Sequence, residues 1–134
     1  MLDSTKEQYA RSCQRFVHDG TERECRPWGY YVVLTEQAAV KVKKMVVYPG
    51  HRLSLQQHQH RGEHWYLLQG RALVTLNERQ FKFAPGQSID ILRKDSHRIE
   101  NSGSESLVFI EIQTGDYFGE DDIKRLEDDY GRAS

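Results

Sequence analysis

Four of the six histidines in this chain fall within residues 49–70, PGHRLSLQQHQHRGEHWYLLQG, together with Glu63. Alternate side chains of an extended strand project to one face, so Gln56, His58 and His60 are expected to point the same way. Arg61-Gly62 then reads as a turn and residues 63–68 as a returning strand, which swings Glu63 back beside the two imidazoles. Two imidazoles and a carboxylate suit a divalent first-row metal, with positions left open for water or substrate. His97 is the candidate for the remaining ligand. Histidines outside such a cluster are usually surface or core residues, and His51 and His18 are read as ordinary surface positions.

Strands must hold these residues. From Trp28 onward the pattern is almost wholly β: 29–34 (GYYVVL), 39–48 (AVKVKKMVVY), the histidine strand, 63–69, 72–76, a segment containing Phe81 and Phe83, 88–92, 97–100 and 106–113 (SLVFIEIQ). Pro49-Gly50, Gly70-Arg71 and Pro85-Gly86 mark turns between them. Many short strands punctuated by Gly and Pro, without intervening helices, predict an antiparallel sandwich or barrel.

Helix is expected only at the two ends. Ser4 and Glu7 form a capping-box pattern, and Tyr9, Cys13, Phe16 and Val17 then recur at helical spacing, which predicts an amphipathic helix over 4–18. Asp19-Gly20 ends it. The division expected is therefore an N-terminal helical extension over 1–25 and a β domain over 26–134. The acidic tail predicts a short helical segment over 121–127.

A chain of 134 residues suits one domain with a real core. The net charge of −1 gives no reason to expect nucleic acid or an anionic membrane surface as partner. The polar start has no apolar run of signal-peptide type, and no stretch approaches the ~20 apolar residues of a membrane span. Two cysteines, Cys13 and Cys25, are too few and too far apart for a disulfide framework, so a reduced cytoplasmic setting is the expectation. Open sheet faces and the N-terminal stripe suggest a homodimer.

These motifs carry a resemblance. Gly50, His58-Gln59-His60, Glu63 and Gly70 resemble the first motif of the cupin superfamily, small jelly-roll barrels, and Gly86 with His97 and Asn101 resembles the second. More narrowly, RPWGYY (26–31), the stretch 49–70, HRIENSG (97–103) and the tail GEDDIKRLEDDYGR (119–132) are similar to the type II mannose-6-phosphate isomerase domain. The similarity covers about residues 26–132. That domain commonly follows a mannose-1-phosphate guanylyltransferase. No Gly-rich nucleotide loop precedes Arg26 here, so nucleotide transfer is not expected. The sequence departs from the family pattern at Leu92 and Lys94, where Pro and Gly are usual.

The resemblance implies an aldose–ketose isomerase that interconverts mannose 6-phosphate and fructose 6-phosphate. It also implies one divalent ion per chain held by His58, His60, Glu63 and His97. Zinc is the ion expected first, with manganese, cobalt, nickel or iron as alternatives. The other mannose-6-phosphate isomerase class binds zinc through a Gln-x-His pair, so Gln56 is an alternative to His60, or else a substrate contact. A non-catalytic sugar-binding cupin and a cupin enzyme for another sugar are the competing readings. Isomerisation needs a proton carrier and a stabiliser of the developing negative charge. His64 and Glu111 are candidate bases. Arg61, Arg98 and Arg132 are candidate phosphate or transition-state contacts, because a guanidinium fork suits oxyanions.

Overall fold

The computed structural model describes Phe16 and residues 19–132. The described chain is nearly all β and folds into two antiparallel sheets that face each other, a jelly-roll sandwich. The first sheet holds β1 (Glu24–Arg26), β2 (Gly29–Gln37), β3 (Val40–Val47), β5 (Arg61–Gln69), β8 (Ser88–Ile91) and β10 (Leu107–Gly115), in the spatial order β1-β2-β3-β10-β5-β8. The second holds β4 (Leu55–His58), β6 (Ala72–Leu76), β7 (Arg79–Phe83), β9 (His97–Asn101) and β11 (Ile123–Glu127), in the order β11-β4-β9-β6-β7. The strands expected from the sequence are all present, and their ends move by a few residues.

Strand alternation builds a graded interior. On β5 the inward residues are Leu67, Trp65 and Glu63; on β10 they are Leu107, Phe109, Glu111 and Gln113. The register aligns them in rows: Phe109 with Leu67 and Met45, Glu111 with Trp65 and Lys43, and Gln113 with Glu63. One end of the sandwich is therefore filled with apolar side chains. Each large one buried there contributes about 1.5–3 kcal/mol. The other end carries charged and amide groups on the same rigid strands. The site sits at that polar end.

Three expectations change. The tail over 121–127 is not a helix: Glu120–Asp122 make a single 3-10 turn and Ile123–Glu127 form β11, paired antiparallel with β4. Alternating half-buried Ile123 and Arg125 can cover a sheet edge as well as a helix face, and the edge of β4 decides between them. The turn before Glu63 lies at Gln59-His60 rather than Arg61-Gly62, and β5 already begins at Arg61. Gly115 lets β10 pass beside that turn, since a Cβ there would stand 2.1 Å from the His60 carbonyl oxygen. Cys25 is disulfide-bonded, against the expectation of free thiols.

The proposed helix over 4–18 lies outside the described residues, except that Phe16 makes an antiparallel bridge with Glu22. Among the described residues no helix is long and apolar enough to cross a membrane.

Candidate metal centre and cavity

β4 ends at His58, β5 presents Glu63 two residues after its start, and β9 begins at His97. The three side chains converge: His58 Nε2 lies 3.2 Å from Glu63 Oε2, and His97 Nε2 lies 3.6 Å from Glu63 Oε1. All three residues are buried, and one donor atom from each falls within 4.8 Å of the others. The His97 ring is oriented by its Nδ1, which donates to the Asp95 carbonyl at 3.1 Å. That bond fixes the tautomer and leaves Nε2 as the lone-pair donor toward the cluster. Neither His97 Nε2 nor the His58 ring nitrogens have a well-formed hydrogen bond. Buried polar atoms are normally satisfied, so unsatisfied imidazole nitrogens converging on a buried carboxylate fit a divalent ion.

The electrostatics agree. Burial lowers the His97 imidazole, and Glu63 only partly opposes it, so the ring favours the neutral ligand form. Burial works to raise the Glu63 carboxyl, but the His58 and His97 imidazoles beside it hold it well below the usual carboxylate range. Glu111 behaves oppositely: burial, reinforced by the Glu63 charge, pushes its carboxyl well above that range. The two acids are held side by side. Trp65 Nε1 donates to Glu63 Oε1 at 3.1 Å and to Glu111 Oε1 at 3.2 Å. Gln113 Nε2 donates to Glu63 Oε2 at 3.4 Å and to Glu111 Oε2 at 3.3 Å.

Glu63 opens onto a cavity of about 60 Å³ shared by Gln56, Arg61, Glu111 and Gln113. That is several times the ~10–15 Å³ that one water requires. Arg26, Lys43, Arg125 and Arg132 also line it, so cations outnumber acids around the mouth.

The residues singled out from the sequence divide. Gln56 shares the inward face of β4 with His58, pairs with His97 in register and lines the cavity. Arg61 is buried, donates through Nη1 to the Phe118 carbonyl at 3.1 Å and stands 3.7 Å from Glu63. Glu111 and Arg132 line the cavity, although the Arg132 guanidinium is held by both oxygens of Asp128 at 2.9 Å.

Three expectations need correction. His60 does not join the cluster: β4 ends at His58, strand parity ends with it, and the His60 side chain is 54% exposed beside Asp116. His64 points to the face of β5 opposite Glu63 and Trp65, where its Nδ1 lies 2.6 Å from Asp90 Oδ1. Arg98 follows His97 and so faces away from it. Its guanidinium ties the Leu53 carbonyl at 2.9 Å and the Glu127 carbonyl at 3.3 Å.

Lys43, Tyr31, Gln113 and Asp122 were not singled out from the sequence. Parity in SLVFIEIQ places Gln113 with Glu111, and parity in VKVKKMVV places Lys43 with Met45 and Val47. Asp122 carried no signal, because its partners are backbone groups: the N–H of Gln59 and of His60, each at 3.0 Å.

Two facing antiparallel sheets with a His–Glu–His cluster at the polar end define a cupin-type barrel. The solved cupin domain of Schizosaccharomyces pombe Cnp3 superposes with a TM-score of 0.62 at 19% identity, over 65% of this chain and 64% of that one. Bacillus subtilis oxalate decarboxylase, studied for its Mn(II) centres, superposes with a TM-score of 0.64 at 23% identity, over 72% of this chain and 28% of that one. The chain belongs to the mannose-6-phosphate isomerase C-terminal family, whose sequence profile matches residues 14–128. It is 45% identical over 117 residues to the alginate biosynthesis protein AlgA of Pseudomonas aeruginosa, covering 85% of this chain and 24% of AlgA. It is 39% identical over 126 residues to a mannose-1-phosphate guanylyltransferase of Klebsiella pneumoniae, covering 94% of this chain and 27% of that protein. The chain thus spans about a quarter of the length of these relatives.

Proposed function

We propose that this chain is a metal-dependent aldose–ketose isomerase that interconverts mannose 6-phosphate and fructose 6-phosphate. The observation that carries the reading is the buried cluster of His58, Glu63 and His97, whose imidazole Nε2 atoms lack hydrogen-bond partners and whose carboxylate opens onto a cationic cavity, in a chain of this family. Gln56, on the same face of β4, completes the ligand set in place of His60. A divalent ion bound there, zinc foremost, supplies Lewis-acid stabilisation of negative charge on the sugar oxygens.

The chain's own residues do the rest. Glu111 is the carboxyl that carries the proton between C2 of the aldose and C1 of the ketose. Its raised carboxyl makes it a stronger base than an ordinary carboxylate, as proton abstraction from a sugar carbon requires. Trp65 and Gln113 fix its orientation against Glu63. Arg61 and Arg132 bring positive charge to the cavity, where a water-poor setting makes charge stabilisation effective. A coupled assay on mannose 6-phosphate with metal-stripped and metal-restored protein tests the reading. Restored protein that binds the sugar phosphate without turning it over points instead to a sugar-binding domain, the reading favoured by the engagement of Arg132 with Asp128.

A second copy of the chain is the macromolecular partner we propose. Tyr66 and Leu68 are 43% and 47% exposed on the outer face of β5, with outward Ile110 of β10 directly beside Tyr66. Sedimentation velocity is expected to show a dimer that Tyr66→Lys/Leu68→Lys dissociates. A wild-type monomer at every concentration overturns it.

A further inference from the structure

Among the cavity residues without a part in the proposed function are Arg26 on β1, Tyr31 on β2 and Lys43 on β3. Lys43 is only 6% exposed, yet among the described residues its ammonium makes no hydrogen bond or ion pair. It sits 4.3 Å over the Tyr31 ring. Glu111, opposite it in the register, is committed to Trp65 and Gln113. A buried ammonium without a hydrogen-bonded counter-ion is costly, and such positions mark functional sites more often than structural ones. At the hydroxyl of the same ring, Arg26 Nη2 donates to the Tyr31 oxygen at 3.1 Å. The hydroxyl accepts there, so its own proton is left to donate. Burial raises the Tyr31 hydroxyl, which keeps it protonated.

We infer that Arg26, Tyr31 and Lys43 form an anion subsite on the β1–β2–β3 wall of the cavity, two strands along the same sheet from Glu63, and that it takes a phosphate group. Two cations and a hydroxyl match a dianionic oxyanion in charge and in donor number. Arg26 itself stands 3.9 Å from the exposed Glu120, a loose pair, whereas two other cations of the cavity are held more closely. Arg61 is tied to the Phe118 carbonyl and Glu63, and Arg132 is tied to Asp128. In the isomerase reading, on which the sugar part of this inference rests, the subsite anchors the phosphate end while the carbonyl end reaches the Glu63 corner. Phosphate recognition itself does not depend on turnover.

Calorimetric titration of the full chain with inorganic phosphate, mannose 6-phosphate and mannose tests the inference. Lys43→Met, which keeps the apolar stem, and Arg26→Gln are each expected to weaken inorganic phosphate and mannose 6-phosphate about tenfold to a hundredfold, the loss of one charge-assisted hydrogen bond. Mannose affinity stays unchanged. If Lys43→Met fails to fold, Arg26→Gln at its part-exposed position carries the test. Three outcomes overturn the subsite: no saturable phosphate binding by wild type, unchanged phosphate affinity in folded Lys43→Met, or loss of phosphate binding in Arg125→Gln alone, which would seat the anion on β11. Tight, phosphate-selective sugar binding without turnover would overturn the isomerase reading and leave the subsite standing.

Discussion

Glu63 Oε2 stands 3.2 Å from His58 Nε2, across a turn that carries His60 outward. The turn is short and braced from outside. Asp122 accepts the backbone N–H of Gln59 and His60, and the Lys94 N–H donates to the His58 carbonyl at 2.8 Å. The first motif therefore supplies one histidine and one glutamate to the cluster, and the second motif supplies the other histidine through β9.

Metal content separates the two readings of the first motif. His58→Ala, His97→Ala and Glu63→Gln are each expected to lose the ion on dialysis, because removing one of so few inner ligands leaves an incomplete set. Gln56→Ala is expected to weaken it. His60→Ala is expected to retain a full equivalent, measured by elemental analysis of purified protein. Loss of the ion in His60→Ala, with full retention in Gln56→Ala, would reinstate His60 as the ligand.

Glu111 sets function against stability. Its folded-state carboxyl is raised, by burial first and then by Glu63. A raised carboxyl favours its protonated form in the fold, so the folded state is progressively disfavoured as pH rises above the unfolded value. In metal-stripped protein, Glu111→Gln removes that cost and is expected to raise the melting temperature at pH 7, by about 3–5 °C per kcal/mol relieved, with little gain at pH 4. Turnover should collapse in the same variant. A melting temperature that falls at pH 7 would show that the acid is a structural partner of Trp65 and Gln113 instead.

The strands and their antiparallel, all-β character were legible because alternation and turn residues are local properties of the chain. The parity of Leu107, Phe109, Glu111 and Gln113 also carries the change from apolar to polar along one wall, although Gln113 was not picked out from it. His60 misled because parity was extended past the end of β4, and no residue type in QHQHRG marks where the strand stops. The brace that stops it comes from Asp122, more than sixty positions along the chain. His64 could have been placed correctly, since it alternates with Glu63 and Trp65. The tail misled for a different reason: its charges suit a solvated helix, and only the open edge of β4 makes it a strand. At Lys94 the structure explains the usual glycine, because φ there is 71°. A non-glycine residue tolerates that backbone at a cost of about 1 kcal/mol.

The tail docks through a pair that reports on alkaline pH. The Tyr130 hydroxyl lies 2.5 Å from His51 Nδ1, the rings stack, and the phenol is pushed up to about 12, chiefly by burial. A phenol raised in the fold contributes stability that is complete below pH ~10, its unfolded value, and is lost as pH rises toward 12. Fully realised, that is up to ~2–3 kcal/mol at 1.36 kcal/mol per unit, less whatever water at the partly exposed ring screens. Wild-type stability is thus expected to fall between pH 10 and 12, with the slope reduced in Tyr130→Phe. Chemical denaturation across that range checks it, and identical slopes would show that another group controls the loss.

Arg132 decides whether the tail takes part in turnover or only closes the barrel. It lines the cavity, yet its guanidinium forks onto Asp128 and its Cζ lies 5.6 Å from the centre of the Tyr130 ring. Burial works to raise Asp128, but the Arg132 hydrogen bonds hold it below its ordinary value, so the pair persists at neutral pH. If Arg132 stabilises the charge that develops on the substrate, Arg132→Ala is expected to cut kcat by about 10²–10³-fold, as for the loss of one preorganised donor, with metal content intact. Arg132→Lys should recover part of that loss, since a point charge does not reproduce the planar fork. Asp128→Asn supplies the contrast: it breaks the ion pair but leaves the guanidinium at the cavity, so kcat should stay within about tenfold of wild type. A staple would behave differently. Arg132→Ala and Asp128→Asn would then lower stability alike and leave kcat alone, because each removes one half of the same bond and neither removes a group the substrate meets.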